Sequence, residues 1–397
     1  MNLKEDLEDA KERLDAWWDH EIIDRPVISY YYPRKRGKLG GYLDVMGEDW
    51  SLAENFNGIE TSLDGFEKRA EFTFFGGESI PTYLPNYGPG IMAAVFGVTS
   101  KFSSRTVWFN RPTKPEDIVN LLEEVKLSQN KEWYSRLLKI TDYAAKRGGN
   151  NYQISITDLG GVLDILSSFL GPSNILLTMK RNPQIIDTCR EIILEKLLKI
   201  YDKLQNIIGN YCDGCNNWLN VWSRKRYYTI QCDFSAMLNP EWFKRFALPD
   251  IITQIEHTDY AIYHMDGPNQ IKFLDYLLNI PQLTGIQWLP GLGRSPQGAE
   301  EWLNLYKKIQ KAQKNVVIDA PAEYIPSLYK KLDIEGLYVR TFYRSERISR
   351  IYLPAFIGGE EGELIFNTVK WAKKQGKNRI TIEDMEIYLN SVKIDLE

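Results

Sequence analysis

The stretch Ala261-Ile262-Tyr263-His264-Met265-Asp266-Gly267-Pro268 decides how the fold is read. It begins apolar, turns polar at His264, and is stopped by Gly267 and Pro268, as a short buried strand entering a turn would be. Similar runs follow it. Gly285-Ile286 leads to Gln287, Val316-Val317-Ile318 leads to Asp319, and Leu337-Tyr338-Val339 leads to Arg340. The polar ends lie roughly 20 to 30 residues apart, about the length of a tight βα unit. Strand, loop and helix in alternation imply parallel strands joined by crossover helices.

Outward from there, weaker strand signals occur at Pro26–Tyr31, Ile80–Leu84, Tyr152–Thr157 ending at Asp158, and the Trp218–Asp233 region. With the four above, they predict an α/β fold of the (β/α)8 barrel type, with residues 1–397 as one domain. Residues 1–20 read as an N-terminal amphipathic helix. Residues 34–112 read largely as loop excursions over the barrel mouth, apart from the Ile80–Leu84 strand. Between Asn182-Pro183 and Gly209, apolar residues Ile186, Cys189, Ile193, Leu197, Ile200, Leu204 and Ile207 recur at helical steps.

In such a barrel the strand interiors are packed with branched side chains, so polar residues at the carboxyl ends converge on one face, where active sites lie. The strand ends here supply Asp158, Asp233, Asp319, His264 with Asp266, Gln287 and Arg340. His264 and Asp266 stand two apart on a strand and face one side. Three readings are open: half of a metal site, a histidine oriented by a carboxylate for proton transfer or substrate binding, or a hydrogen bond that holds a turn. Gln231 and Asp233-Phe234-Ser235 precede Asn239-Pro240-Glu241, which reads as a helix start, and junctions of this kind often bind ligand. His264, Asp266 and Asp233 are the catalytic candidates. Asp158, Gln231, Ser235, Gln287, Trp288, Asp319, Arg340, Tyr228 and Trp222 are the substrate-binding candidates. Further aromatics beside strand ends, namely Tyr30, Tyr31, Tyr32, Tyr83, Tyr87, Trp218 and Tyr227, divide between core packing and a lining for a flat ligand.

The bulk properties narrow the partners. A net charge of −4 argues against nucleic acid or an anionic membrane as partner. The cluster Arg34-Lys35-Arg36 with Lys38 reads as a solvated loop or as an anchor for a substrate carboxylate or phosphate. Four cysteines in 397 residues make no disulfide framework, and the Cys212/Cys215 pair has no second pair to complete a zinc site. The charged opening segment is unlike a signal peptide, and no stretch approaches the roughly 20 apolar residues of a membrane span, so the expected location is cytoplasmic. A homodimer is an open expectation.

Several segments carry a family resemblance. Asp24-Arg25-Pro26 after the opening helix, Asp158-Leu159-Gly160-Gly161, Asp233-Phe234-Ser235-Ala236-Met237-Leu238-Asn239-Pro240-Glu241, Tyr263-His264-Met265-Asp266-Gly267-Pro268 and Gly285-Ile286-Gln287-Trp288 occur in that order. Together they resemble the uroporphyrinogen decarboxylase-like superfamily over roughly residues 15 to 350. The resemblance implies a TIM barrel, of a kind similar to that of cobalamin-independent methionine synthases. It also implies either cofactor-free decarboxylation or zinc-dependent methyl transfer serving corrinoid proteins. The methyltransferase branch carries His-x-Cys where this chain has His264-Met265-Asp266, and no cysteine follows Cys232. Carboxylate for thiolate makes a harder metal site. The decarboxylase branch holds substrate carboxylates with paired arginines, but the sequence around Arg34 and Arg36 does not match that motif.

The leading expectation is therefore methyl transfer between a corrinoid carrier or folate and a small substrate, with His264 and Asp266 either binding zinc or another divalent metal or polarising the acceptor. The alternatives are a metal-free decarboxylase or lyase, with Arg340 or the Arg34–Arg36 loop holding a carboxylate, and a non-catalytic barrel that binds a corrinoid or tetrapyrrole.

Overall fold

The computed structural model describes residues 3–34, 58–98, 100–102, 107–109, 114–129, 132–149 and 151–342. Its strands are β1 (Val27–Pro33), β2 (Thr73–Gly77), β3 (Thr82–Tyr83), β4 (Ser100–Phe102), β5 (Val107–Phe109), β6 (Gln153–Ile154), β7 (Tyr227–Gln231), β8 (Tyr260–Asp266), β9 (Gly285–Leu289), β10 (Asn315–Asp319) and β11 (Leu337–Phe342). A seven-stranded sheet runs in the order β2-β1-β11-β10-β9-β8-β7. All its neighbours are parallel except β2, which pairs antiparallel with β1 at the edge. β3 and β6 form a separate parallel pair, β4 and β5 an antiparallel one. Each of the eight segments read as strands from the sequence contains a strand. Among the described residues, backbone pairing does not join the ends of the large sheet into a ring.

The register divides the side chains into two faces. Gln231 lies opposite His264, His264 opposite Gln287, Gln287 opposite Val317, Val317 opposite Tyr338, and Tyr338 opposite Val27. Successive residues of a strand point to opposite sides, so these share one face, with Thr229, Ile262, Asp319 and Arg340. The other face carries Ile28, Ile230, Tyr263, Met265, Ile286, Trp288, Ile318 and Val339, all buried with the helices in the main core. Helix Pro183–Gly209 belongs to that layer, with Ile208 rather than Ile207 buried in its last turn.

The first face has its own smaller core. Val27, Tyr227, Ile262, Val317 and Tyr338 pack there with Trp17, Trp18, Val221 and Trp222. Trp17 and Trp18 end helix α1 (Leu7–Trp18), and the Trp18 indole N–H donates to the Trp222 carbonyl at 2.9 Å. The opening helix thus plugs the amino ends of the strands.

Two expectations need correction. Only Tyr227–Gln231 of the Trp218–Asp233 region is strand. Residues 216–220 instead lie across the first face. Asn216 donates to Thr82 Oγ1 at 3.0 Å, Asn217 accepts from Thr229 at 3.1 Å, and Asn220 donates to Tyr31 Oη at 3.3 Å. Asparagine amides satisfy polar groups that an apolar strand could not, which is why an Asn-rich stretch sits inside. Residues 34–112 also hold more than loops: helix Ile59–Glu71 buries Leu63, Phe66 and Ala70, β2 follows, and Ile91–Val95 is a fully buried helix. Within that span, residues 35–57, 99, 103–106 and 110–113 lie outside the described residues.

No single helix among the described residues is long and apolar enough to cross a membrane; the apolar pair Val162–Leu170 and Pro172–Arg181 is bent by 102°. Cys212 and Cys215 are buried free thiols, and burial pushes both up to about 11.

The Asp24-Arg25-Pro26 segment has a structural explanation. Glu78 is fully buried, takes both ends of the Arg25 guanidinium at 3.0 and 2.6 Å, and accepts the Ile28 backbone N–H at 2.8 Å. Lys4, itself buried, donates to the carbonyls of Phe75 and Gly77 at 3.1 and 2.6 Å. These bonds pin β1 and β2 at the edge of the sheet. Glu78→Ala strands Arg25 without its partner and is expected to cost about 3–5 kcal/mol. Lys199→Ala, whose ion pair with Glu195 is exposed on both sides, is expected to cost far less. Urea unfolding of the two variants checks the ordering; equal losses would refute the buried-anchor account.

Candidate functional site

The carboxyl ends of β7 to β11 deliver Gln231, His264, Gln287, Asp319 and Arg340 to one face, and hydrogen bonds join most of them in a row. His264 Nδ1 meets Gln287 Oε1, and Gln287 Nε2 donates to Asp319 Oδ2 at 3.3 Å. Arg340 donates to both oxygens of Asp319 at 2.7 Å each, and also to the Leu219 carbonyl. The Asp319 N–H is held by Gln297 Oε1 at 2.8 Å. His264, Gln287 and Arg340 are all buried. Trp218, next to Leu219 on the crossing segment, sets its ring edge-on to His264 at 5.1 Å.

A second group comes from the loops after β6 and β7. Asp158 Oδ1 accepts from Gln231 Nε2 and from the Gly160 N–H, both at 2.8 Å. Asp164, in helix Val162–Leu170, accepts the N–H groups of Asp233 at 3.0 Å and Phe234 at 2.7 Å. This fixes the turn that carries Asp233. The approach is close enough that a Cβ on Gly161 would collide with the Asp164 carboxylate and the Gln231 carbonyl.

The two groups meet at His264. Asp233, His264 and Asp266 each offer one ligand atom, and these atoms lie within 4.8 Å of one another. Two carboxylates and an imidazole at this spacing suit a divalent cation. Burial and the charge of Asp233 push Asp164 up to about 7. Burial is also the largest cause raising Asp158 to about 6, with Asp233 adding to it. Asp233 has solvent-exposed surface but sits in a recess; desolvation raises it, His264 opposes that, and Asp266 reinforces it.

Of the other sequence candidates, several stand elsewhere. Trp288 is on the opposite face of β9 from Gln287, buried against Trp302. Tyr228 likewise faces away from Gln231 and packs on Tyr201, but its hydroxyl accepts the Leu159 N–H at 2.8 Å and so braces the Asp158 loop. Trp222 belongs to the core at the amino ends of the strands, bonded to the Asp213 carbonyl at 3.0 Å. Ser235 is completely buried in the turn that follows β7. Tyr30 and Tyr32 lie on the opposite face of β1, against Phe74. Tyr83 packs on Phe66, and Tyr87 is wholly buried. The Arg34 guanidinium is occupied by the carbonyls of Thr73 and Leu3 at 3.0 and 3.3 Å. Lys35, Arg36 and Lys38 lie outside the described residues. The other two histidines serve structure: His20 bonds Asn315 at 2.7 Å, and His257 bonds Asp202 at 2.9 Å.

Asp164 and the role of Trp218 are what sequence reasoning missed. The signal for Asp164 was present, since it is the one charged residue in the otherwise apolar or hydroxyl-bearing helix VLDILSSFL. Trp218 could not be separated from the strand beside it.

Asp158 yields a pH-dependent expectation. Its folded value of about 6 lies above the ordinary 3.8, so the folded state holds the extra proton between those values. Stability from this group is present at low pH and lost as pH rises through that window. Asp158→Asn retains the Oδ1 acceptor and removes the charge, so it should stabilise the protein by about 1–2 kcal/mol near pH 8 and by almost nothing near pH 4. Thermal melts at the two pH values check this; a gain that does not depend on pH would refute it.

No protein-family model matches this chain, and no curated protein matches it. Among solved structures, its fold is similar to that of a methyltransferase from Methanosarcina mazei, with a TM-score of 0.56 and 14% sequence identity. The likeness covers 85% of this chain and 93% of that one. At this identity the shared property is the fold, a mixed α/β architecture around a mostly parallel sheet.

Proposed function

We propose that this protein is a methyl-transfer enzyme of the uroporphyrinogen decarboxylase-like type, built on a single (β/α)8 barrel, with a divalent metal held by Asp233, His264 and Asp266. The observation that carries the reading is this three-ligand set at the carboxyl ends of the strands, in a fold similar to that of a protein described as a methyltransferase. The eight strand-containing segments, and the crossing segment 216–220 that touches residues of β1, β3 and β7 together, support a closed barrel.

The donor set fits a cation. Its carboxylates crowd one another without a neutralising guanidinium from Arg340, which pairs with Asp319. A metal there would act as a Lewis acid on the heteroatom of a small acceptor. The set is harder than a thiolate site, so zinc competes with other divalent metals. Asp158, near pKa 6 and within electrostatic reach of His264, is suited to take the proton that the acceptor sheds as it attacks the methyl carbon, while the donor–methyl bond breaks and its electron pair stays with the donor. Gln231 orients Asp158, Asp164 holds the Asp233 turn, and Trp218 excludes water from one side of the imidazole. The methyl donor in this reading is a corrinoid, on a carrier protein or free, or a folate, and the setting is cytoplasmic.

The metal-free decarboxylase reading has less support, because two of the three arginines offered as carboxylate anchors, Arg34 and Arg340, are engaged within the protein, while Arg36 lies outside the described residues.

Purified protein supplied with zinc, manganese or cobalt is expected to retain about one equivalent of metal, measured by mass spectrometry after gel filtration. His264→Ala and Asp266→Ala should each weaken retention at least about 100-fold. Wild-type protein that retains none of the three metals would sink the metal site. The activity is checked by incubating the enzyme with methylcobalamin and a panel of thiol and amine acceptors while following the corrinoid spectrum. Demethylation should depend on acceptor and fall at least about 100-fold in His264→Ala.

A further inference from the structure

We infer that Arg340, acting through Asp319 and Gln287, fixes His264 as its Nδ1–H tautomer and leaves the Nε2 lone pair as the reactive atom. Arg340, Asp319 and Gln287 are positioning residues in this arrangement. The direction of each hydrogen bond forces the next.

Arg340 can only donate. Its guanidinium covers both oxygens of Asp319 at 2.7 Å, and its third contact, to the Leu219 carbonyl, stops it from turning away. Asp319 therefore offers its remaining neighbour acceptor lone pairs. Gln287 must answer with its NH2, and does so at 3.3 Å. Once the amide nitrogen faces Asp319, the amide oxygen faces His264. An oxygen at that position requires the proton on Nδ1, and a neutral imidazole then carries its lone pair on Nε2.

The opposite tautomer would need Gln287 to turn over, setting its oxygen against the Asp319 carboxylate and its NH2 against His264. Gln287 is 3% exposed and His264 8% exposed, so water cannot take up the mismatch. The expected preference for Nδ1–H is at least about tenfold. The same chain holds the ring plane, because Leu219, clamped by Arg340, adjoins Trp218, which lies edge-on to the imidazole.

The test uses nitrogen-15 histidine-labelled full-length protein at about pH 8.5, roughly two units above the ordinary imidazole value, after chelator treatment. The chain has three histidines, so His264→Gln assigns the signals. The wild type should show a protonated, pyrrole-type Nδ1 and an unprotonated, pyridine-type Nε2 at His264. Asp319→Asn lets Gln287 turn over, and Gln287→Met removes the amide; each should shift His264 to a mixture or to Nε2–H while the His20 and His257 signals stay in place. Those two signals also report whether a variant has folded. A wild type with Nε2–H overturns the inference whatever the variants do, as does a folded Asp319→Asn protein with its Nδ1–H preference unchanged. The assignment does not depend on the metal: a wrong tautomer would leave Asp233 and Asp266 as ligand candidates, and a protein that binds no metal could still carry the Nδ1–H form.

Discussion

In-register pairing of β7 through β11 is the constraint on which everything at the site depends. Parallel strands repeat every two residues, so one choice of register sends Gln231, His264, Gln287, Asp319 and Arg340 to the same face. A slip by one residue on β8 would exchange His264 for Met265 and bury a histidine among Ile286, Trp288 and the helices. The apolar residues between the polar ones hold the register. Tyr263, Met265, Ile286, Trp288 and Ile318 must all reach the main core at once. The hydrophobic layer on one face thus selects the polar layer on the other.

The first face divides along the strand direction. Toward the amino ends it is filled by Val27, Tyr227, Ile262, Val317 and Tyr338 against the tryptophans of α1 and the 221–222 segment. Toward the carboxyl ends the filling is polar, and segment 216–220 supplies much of it. The asparagines of that segment reach β1, β3 and β7 with short amides that both donate and accept. An apolar plug of the same length would take away the Asn217 amide oxygen that accepts from the buried Thr229 hydroxyl, at a cost of about 1–3 kcal/mol.

The strand positions were legible because a buried parallel strand is an apolar run with a sharp polar end, and that pattern survives in four consecutive units from Ala261 to Arg340. The row of polar ends followed directly. The facing of the aromatics was less legible. Trp288 and Tyr228 adjoin site residues in sequence but stand on the opposite side of the sheet, a consequence of the two-residue repeat that proximity alone conceals. Trp222 and Asn216–Asn220 were harder still, because their partners lie across the fold on strands remote in sequence. Helix Ile59–Glu71 was hidden by sparse buried positions, only Leu63, Phe66 and Ala70.

The acidic residues show why such a face is kept despite its cost. Asp158, Asp164 and Asp233 all have raised pKa values, which means that each is destabilised as a carboxylate where it stands. A packing-driven design would replace them with amides, and Asn at position 158 could keep both of its hydrogen bonds. Where a structural need exists, this chain supplies a neutralising partner: the buried Glu78 is met by Arg25. Beside His264, the Arg340 guanidinium is turned to Asp319 instead. Negative charge concentrated around one imidazole, with the Arg340 guanidinium directed elsewhere, is the arrangement that a bound cation or an incoming proton would relieve. The electrostatic strain is thus focused at the point where His264, Asp233 and Asp266 converge.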